Sequence, residues 1–163
     1  MSIVRYLCNV LVSALPPTRA YKTKAKLWRW SGVVVASDAR LVSSVRIWTS
    51  GRVSIGADTF LGHEVMLAGG DASISIGARC DLAPRVLLVT GSHEDGGDER
   101  AAGRGISTPI VVGNGVWIGA GAILLGGVEI GDGSIIGAGS LVDKSIPPRS
   151  IAVGVPCRVV RQR

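Results

Sequence analysis

Aliphatic residues recur at every sixth position along much of this chain. Val112, Ile118, Leu124, Ile130, Ile136 and Val142 keep the interval without a slip. Small or compact residues stand four places after four of them, at Ala122, Val128, Ser134 and Ser140. The same beat runs upstream as Leu41, Ile47 and Val53, then Ile55, Leu61 and Leu67, then Ile76, Leu82 and Leu88, with short phase slips between blocks. A helix, with about 3.6 residues per turn, would carry such a repeat around its surface, whereas short strands joined by tight turns return every sixth residue to an equivalent inward position. The pattern predicts a parallel β-solenoid of about six coils, an all-β fold.

The first residues follow another rhythm. Ile3, Val4, Leu7, Val10, Leu11, Val12 and Leu15 have a largely helical spacing that Pro16 and Pro17 must stop. A basic stretch with Trp28 and Trp30 follows. The chain therefore divides into a basic amphipathic N-terminal segment, residues 1–31, and a repeat domain, residues 32–163.

Composition fits this build. Of 163 residues 23 are glycine, 47% are hydrophobic and only 4% aromatic, so the core must be made of aliphatic and very small side chains with many turns. That apolar content excludes wholesale disorder. Cys8, Cys80 and Cys157 lie far apart with no C-x-x-C spacing, which argues against a zinc cluster and a disulfide framework and for a reducing cytoplasm.

The net charge of +6 resides in the first 31 residues. Arg5, Arg19, Lys22, Lys24, Lys26 and Arg29 precede the first acid, Asp38, and the remainder carries 12 basic against 12 acidic residues. So short a patch, with no groove-reading motif, does not suit nucleic acid. Two readings of it stand: peripheral contact of residues 1–31 with the anionic inner face of a membrane, or a helical cap packed on the solenoid. No apolar run reaches the roughly 18 residues of a spanning helix, and no cleavage site follows the apolar run, so the expected location is cytoplasmic.

The repeat breaks between Thr90 and Pro109, where Gly91-Ser92-His93-Glu94-Asp95-Gly96-Gly97-Asp98-Glu99-Arg100 precedes a small, basic stretch. A long interruption in a regular solenoid is usually functional. An extruded loop is expected at about 94–109, with His93 at its entrance. A neutral imidazole titrating near physiological pH can take a proton from a weakly acidic hydroxyl and return it to a leaving group.

The tandem repeat, with Gly113-Asn114-Gly115-Val116-Trp117-Ile118-Gly119 and Gly154-Val155-Pro156-Cys157-Arg158, resembles the hexapeptide acyltransferases, especially their maltose, galactoside and polysaccharide O-acetyltransferase branch. The resemblance implies a left-handed β-helix of triangular section, a hand opposite to that of ordinary parallel crossovers. It implies a homotrimer with active sites between subunits, acetyl-CoA as donor, no metal, and a saccharide acceptor. His93 resembles the catalytic histidine. His63 stands where the family usually has asparagine, a group that holds the acyl carbonyl and its oxyanion. Asp71 and Trp117 match acceptor-side positions, and Ala120, Ala138, Lys144, Arg158 and Arg161 match the coenzyme A groove, with Asp143 departing from the usual threonine or serine.

The implied activity is O-acetylation of a sugar hydroxyl on a cell-envelope or exopolysaccharide precursor. N-acetylation of an amino sugar or nucleotide sugar, or a non-catalytic solenoid scaffold, are the alternatives. A zinc-dependent carbonic anhydrase on this fold would need three histidines, and the chain has two, His63 and His93.

Overall fold

Each coil forms because three inward aliphatic residues, one per face, are separated by tight turns, and each turn returns the chain to the edge of the strand below. A computed structural model describes residues 2–163; Met1, counted in the N-terminal segment, lies outside the described residues. The first coil contains β1 (Val34–Val35), β2 (Arg40–Leu41) and β3 (Arg46–Trp48), and the second β4 (Val53–Ile55), β5 (Phe60–Leu61) and β6 (Met66–Ala68). The third has β7 (Ile74–Ile76), β8 (Asp81–Leu82) and β9 (Leu87–Val89), then leaves the prism as a hairpin, β10 (Gly91–Asp95) and β11 (Ala102–Ser107). Two further coils hold β12 (Ile110–Val112), β13 (Trp117–Ile118), β14 (Ile123–Leu125), β15 (Glu129–Ile130), β16 (Ile135–Ile136) and β17 (Leu141–Val142). A sixth coil begins with β18 (Ser150–Val153), against which β19 (Arg158–Gln162) folds back antiparallel.

The strands stack in parallel into three faces, giving the left-handed solenoid. The first face is β1-β4-β7-β12-β15, the second β2-β5-β8-β13-β16-β18-β19, and the third β3-β6-β9-β14-β17. Register places the six-residue beat in columns. Leu41, Leu61, Leu82, Ile118 and Ile136 align on the second face, and Ile47, Leu67, Leu88, Leu124 and Val142 on the third. All ten are fully buried.

Outward residues distinguish the faces. The third presents Arg46, Trp48, Met66, Leu87, Val89, Ile123, Leu125 and Leu141, whereas the first presents Val34, Ser54, Ser75, Val111 and Glu129. A largely apolar outer sheet is an interaction surface in search of a partner.

Helices α1 (Ile3–Ser13) and α2 (Tyr21–Trp30) cap the open first coil. Ser2 caps α1 by accepting the Arg5 N–H at 3.2 Å. The Pro16-Pro17 turn lies against the corner between the second and third faces, where Pro17 and Pro16 carbonyls accept from the Ser43 N–H and hydroxyl. Trp28 and Lys24 are fully buried, the lysine Nζ donating to the Pro17 carbonyl at 2.7 Å. Of the two tryptophans of the basic segment, only Trp30 is therefore free to meet a surface.

Candidate functional site

The interruption of the repeat is a regular antiparallel hairpin. The Gly96 N–H donates to the Ala101 carbonyl near its tip, and the Thr108 N–H donates to the Thr90 carbonyl at its base, both at 3.0 Å. Ser92 pairs with Ile106 and His93 with Gly105, after which the register shifts between His93 and Asp95. Such irregularities re-aim side chains. An ion pair at 3.0 Å between Glu94 and Arg104 ties the strands together at the shift.

His93 is exposed, and its Nδ1 lies 3.0 Å from the Gly103 carbonyl oxygen. A carbonyl only accepts, so Nδ1 carries the proton and Nε2 keeps the lone pair. A second backbone element thus sets the tautomer suited to a general base. Asp71 occupies the same corner, between the third and first faces, one coil earlier. It sits beside the hairpin base, where the Ala72 N–H donates to the Ser107 hydroxyl at 3.1 Å.

His63 belongs to the other edge of the third face, at the turn between β5 and β6. With Glu64, Pro84, Arg85, Ala120 and Gly121 it lines a groove of about 450 Å³. Stacked corner turns build this groove. Its floor needs small residues, because a Cβ at Gly119 would stand 2.5 Å from the Ala138 amide nitrogen. Ala120 and Ala138 are exposed, so a thin, extended ligand arm could approach the backbone there.

Ser44, from the turn one coil below, accepts the Glu64 N–H at 3.0 Å and lies 3.4 Å from His63 Nδ1. A hydroxyl proton directed to Nδ1 would put the ring proton of His63 on Nε2. Arg85 pairs with Glu64 at 2.7 Å, and this hydrogen bond holds the Glu64 carboxyl below its ordinary range. Ser44, Glu64, Arg85 and the Gly103 carbonyl were not singled out from the sequence. The first three lie about one coil apart around His63, a spacing that could have found them; the carbonyl depends on hairpin pairing.

The other expected residues divide as follows. Trp117 stands on the outer side of the second face, 54% exposed. Lys144 is exposed on the turn after β17, and Arg161 is exposed on β19. Arg158 is engaged within the chain, its Nη1 donating to Asp143 Oδ1 at 2.7 Å. That hydrogen bond holds the Asp143 carboxyl below its ordinary range. One chain thus places His93 and Asp71 on one edge of the third face, and His63, Ala120 and Ala138 on the other. Among the described residues, no three His, Cys, Asp or Glu side chains are grouped to hold a metal ion.

Comparison with known proteins gives a consistent picture. The pattern described as bacterial transferase hexapeptide (six repeats) matches residues 109–144, and that of the hexapeptide repeat of succinyl-transferase matches residues 52–83. The galactoside O-acetyltransferase of Escherichia coli K12 is 47% identical over 92 residues, 56% of this chain and 45% of the relative. The chain's match thus spans about half the length of that relative. WcaF of the same organism, named for an acetyltransferase role in colanic acid biosynthesis, is 31% identical over 152 residues, 93% of this chain and 81% of the relative. Among solved structures, a maltose O-acetyltransferase from Clostridium difficile superposes with a TM-score of 0.75 at 29% identity, over 97% of this chain and 83% of that one. A galactoside acetyltransferase in complex with coenzyme A gives 0.74 at 26% identity, over 97% and 78%.

Proposed function

Because the chain belongs to the hexapeptide-repeat acetyltransferase family, we propose that it transfers an acetyl group from acetyl-CoA to a sugar hydroxyl, on a saccharide destined for the cell envelope or an exopolysaccharide. The observation that carries this reading is the His93 imidazole, held on an extruded hairpin with Nδ1 bonded to a carbonyl and Nε2 left basic.

The thioester supplies an already activated acyl group, so the protein need only remove one proton and stabilise one oxyanion. His93 Nε2 takes the proton of the acceptor hydroxyl as its oxygen attacks, then returns it to the departing thiolate. His63, donating from Nε2–H, serves the place of the family's asparagine amide at the oxyanion. The small residues of the groove, Ala120 and Ala138, fit the thin pantetheine arm, and Lys144, Arg158 and Arg161 provide cations for the phosphates. Asp71 accepts hydrogen bonds from acceptor hydroxyls, and the Trp117 ring offers a face for a pyranose.

The division of these residues between two edges supports a homotrimer in which the apolar third face is covered and each site is shared by two copies. The assembly would work in the cytoplasm, with residues 1–31 meeting the inner membrane face. Purified enzyme and its His93→Ala variant, assayed for thiol release with sugars and saccharides as acceptors, test the reading. Turnover should fall by about 10²–10⁴-fold while the calorimetric affinity for acetyl-CoA stays unchanged. Retained turnover in the variant would remove the histidine from the mechanism.

A further inference from the structure

A terminal cap on a solenoid ordinarily covers the open end with its inner side and shows water a polar outer side. Helix α1 does the reverse. It turns Arg5, Cys8, Asn9 and Val12 inward, because the free edge of β3 presents unpaired backbone groups. The Asn9 amide donates to the Ile47 carbonyl and accepts the Ile47 N–H, both at 3.1 Å. Arg5 Nη1 donates to the Thr49 and Gly51 carbonyls at 2.6 and 2.9 Å. With Asn9 and Arg5 committed to the strand edge and Cys8 and Val12 to the core, the helix leaves Ile3, Tyr6, Leu7, Val10 and Leu11 outward, Tyr6 tilted against Trp48 with ring centroids 6.3 Å apart. Their exposure runs from 43% at Leu7 to 70% at Ile3. The spacing i, i+3, i+4, i+7, i+8 makes them one stripe.

The surroundings of the stripe select its occupant. No acid precedes Asp38, and Arg19, Lys22 and Lys26 are exposed on the turn into α2 and along it. Trp30, at the end of that helix, is 59% exposed. An apolar stripe on a helix without acids, with the exposed cations and indole of α2, complements lipid tails and anionic headgroups, although Asp38 lines one surface depression with Lys22 and Arg40. A second copy would instead bring like charges together.

We propose that the outward stripe of α1, with Lys22, Lys26 and Trp30 of α2, docks on an anionic phospholipid bilayer, so that the prism stands on its N-terminal end. The inference deepens the proposed function by assigning the acceptor to a saccharide carried on lipid. His93 leaves the prism at the third coil, roughly 10 Å above the first at the ~4.8 Å spacing of strands, a height that a membrane-tethered glycan can reach. In a closed trimer with parallel axes, all three caps meet the same plane and reinforce one another.

Flotation of the full-length protein with phosphatidylcholine vesicles, with and without phosphatidylglycerol, tests the docking without any acetyl donor. Its outcome is therefore independent of acetyl transfer. The wild type should float with the anionic vesicles, less with the neutral ones, and less in high salt. Leu7→Asp with Leu11→Asp should lower partitioning by about tenfold or more, and Lys22→Glu with Lys26→Glu should abolish the preference for anionic lipid. Tryptophan fluorescence, which the protein's four indoles share, should shift to the blue on anionic vesicles, and Trp30→Phe should remove most of that shift. Four results would each overturn the proposal: a wild type that stays with the aqueous phase, an aspartate variant that floats like the wild type, a blue shift that is absent or unaltered by Trp30→Phe, or a changed oligomeric mass in the aspartate variant, which would make the stripe a contact between copies.

Discussion

Asp143 decides how available Arg158, one of the cations proposed for the cofactor, is. Its carboxyl, held ionised below its ordinary range by the Arg158 hydrogen bond, stays charged at neutral pH and occupies the guanidinium at 2.7 Å. A folded-state pKa below the unfolded value means that the pairing is present at neutral pH and is lost only as pH falls through the lowered value. A diphosphate bound at Arg158, as proposed, would compete with an internal carboxylate. The Arg158 side chain is 51% exposed and that of Asp143 31%, so solvent screens the pair and the competition is modest. Asp143→Asn should lower the KM for acetyl-CoA by about two- to fivefold and leave kcat unchanged, whereas Arg158→Ala should raise KM. Initial-rate kinetics at neutral pH check both; an unaltered KM in Asp143→Asn would mean that Arg158 does not meet the donor.

At the scale of elements, the hairpin is an independent addition to the solenoid. The Thr90–Thr108 hydrogen bond closes the prism beneath it, and β12 pairs directly with β7 as if nothing intervened. Replacing residues 92–106 with a two-residue glycine turn should preserve a cooperative thermal transition and the β-type circular dichroism while removing turnover. Loss of the folded state would show the hairpin to be part of the core. The aliphatic columns were legible in the sequence because every coil repeats one inward position per face, so Ile118 and Leu124 declare their places without help. The hairpin was legible only as a break in that beat. Its pairing depends on contacts such as His93 with Gly105, which no period announces. The orientation of α1 was hidden for a related reason. Amphipathic spacing says that Leu7 and Leu11 share a side, but only the free edge of β3, which needs Asn9 and Arg5, determines that this side faces outward.

For the whole molecule, the separation of the expected site residues has a consequence that can be counted. His93 and Asp71 lie on one edge of the largely apolar third face, and His63 and Ala120 on the other, so one chain does not bring the proposed base to the proposed donor groove. If copies associate side by side in a closed ring, the hairpin edge of each meets the groove edge of its neighbour. Two inactive variants should then rescue one another. His93→Ala removes the base, and Ala120→Trp fills the groove while keeping His93. After unfolding and refolding an equal mixture, a site is intact only where its base comes from a groove variant and its groove from a base variant. Random assortment makes that about a quarter of all sites in a trimer. Mixed and refolded protein should therefore recover about 25% of wild-type turnover, while each variant refolded alone stays inactive. Sites formed within a single chain would give no recovery at all, because every chain in the mixture carries one defect.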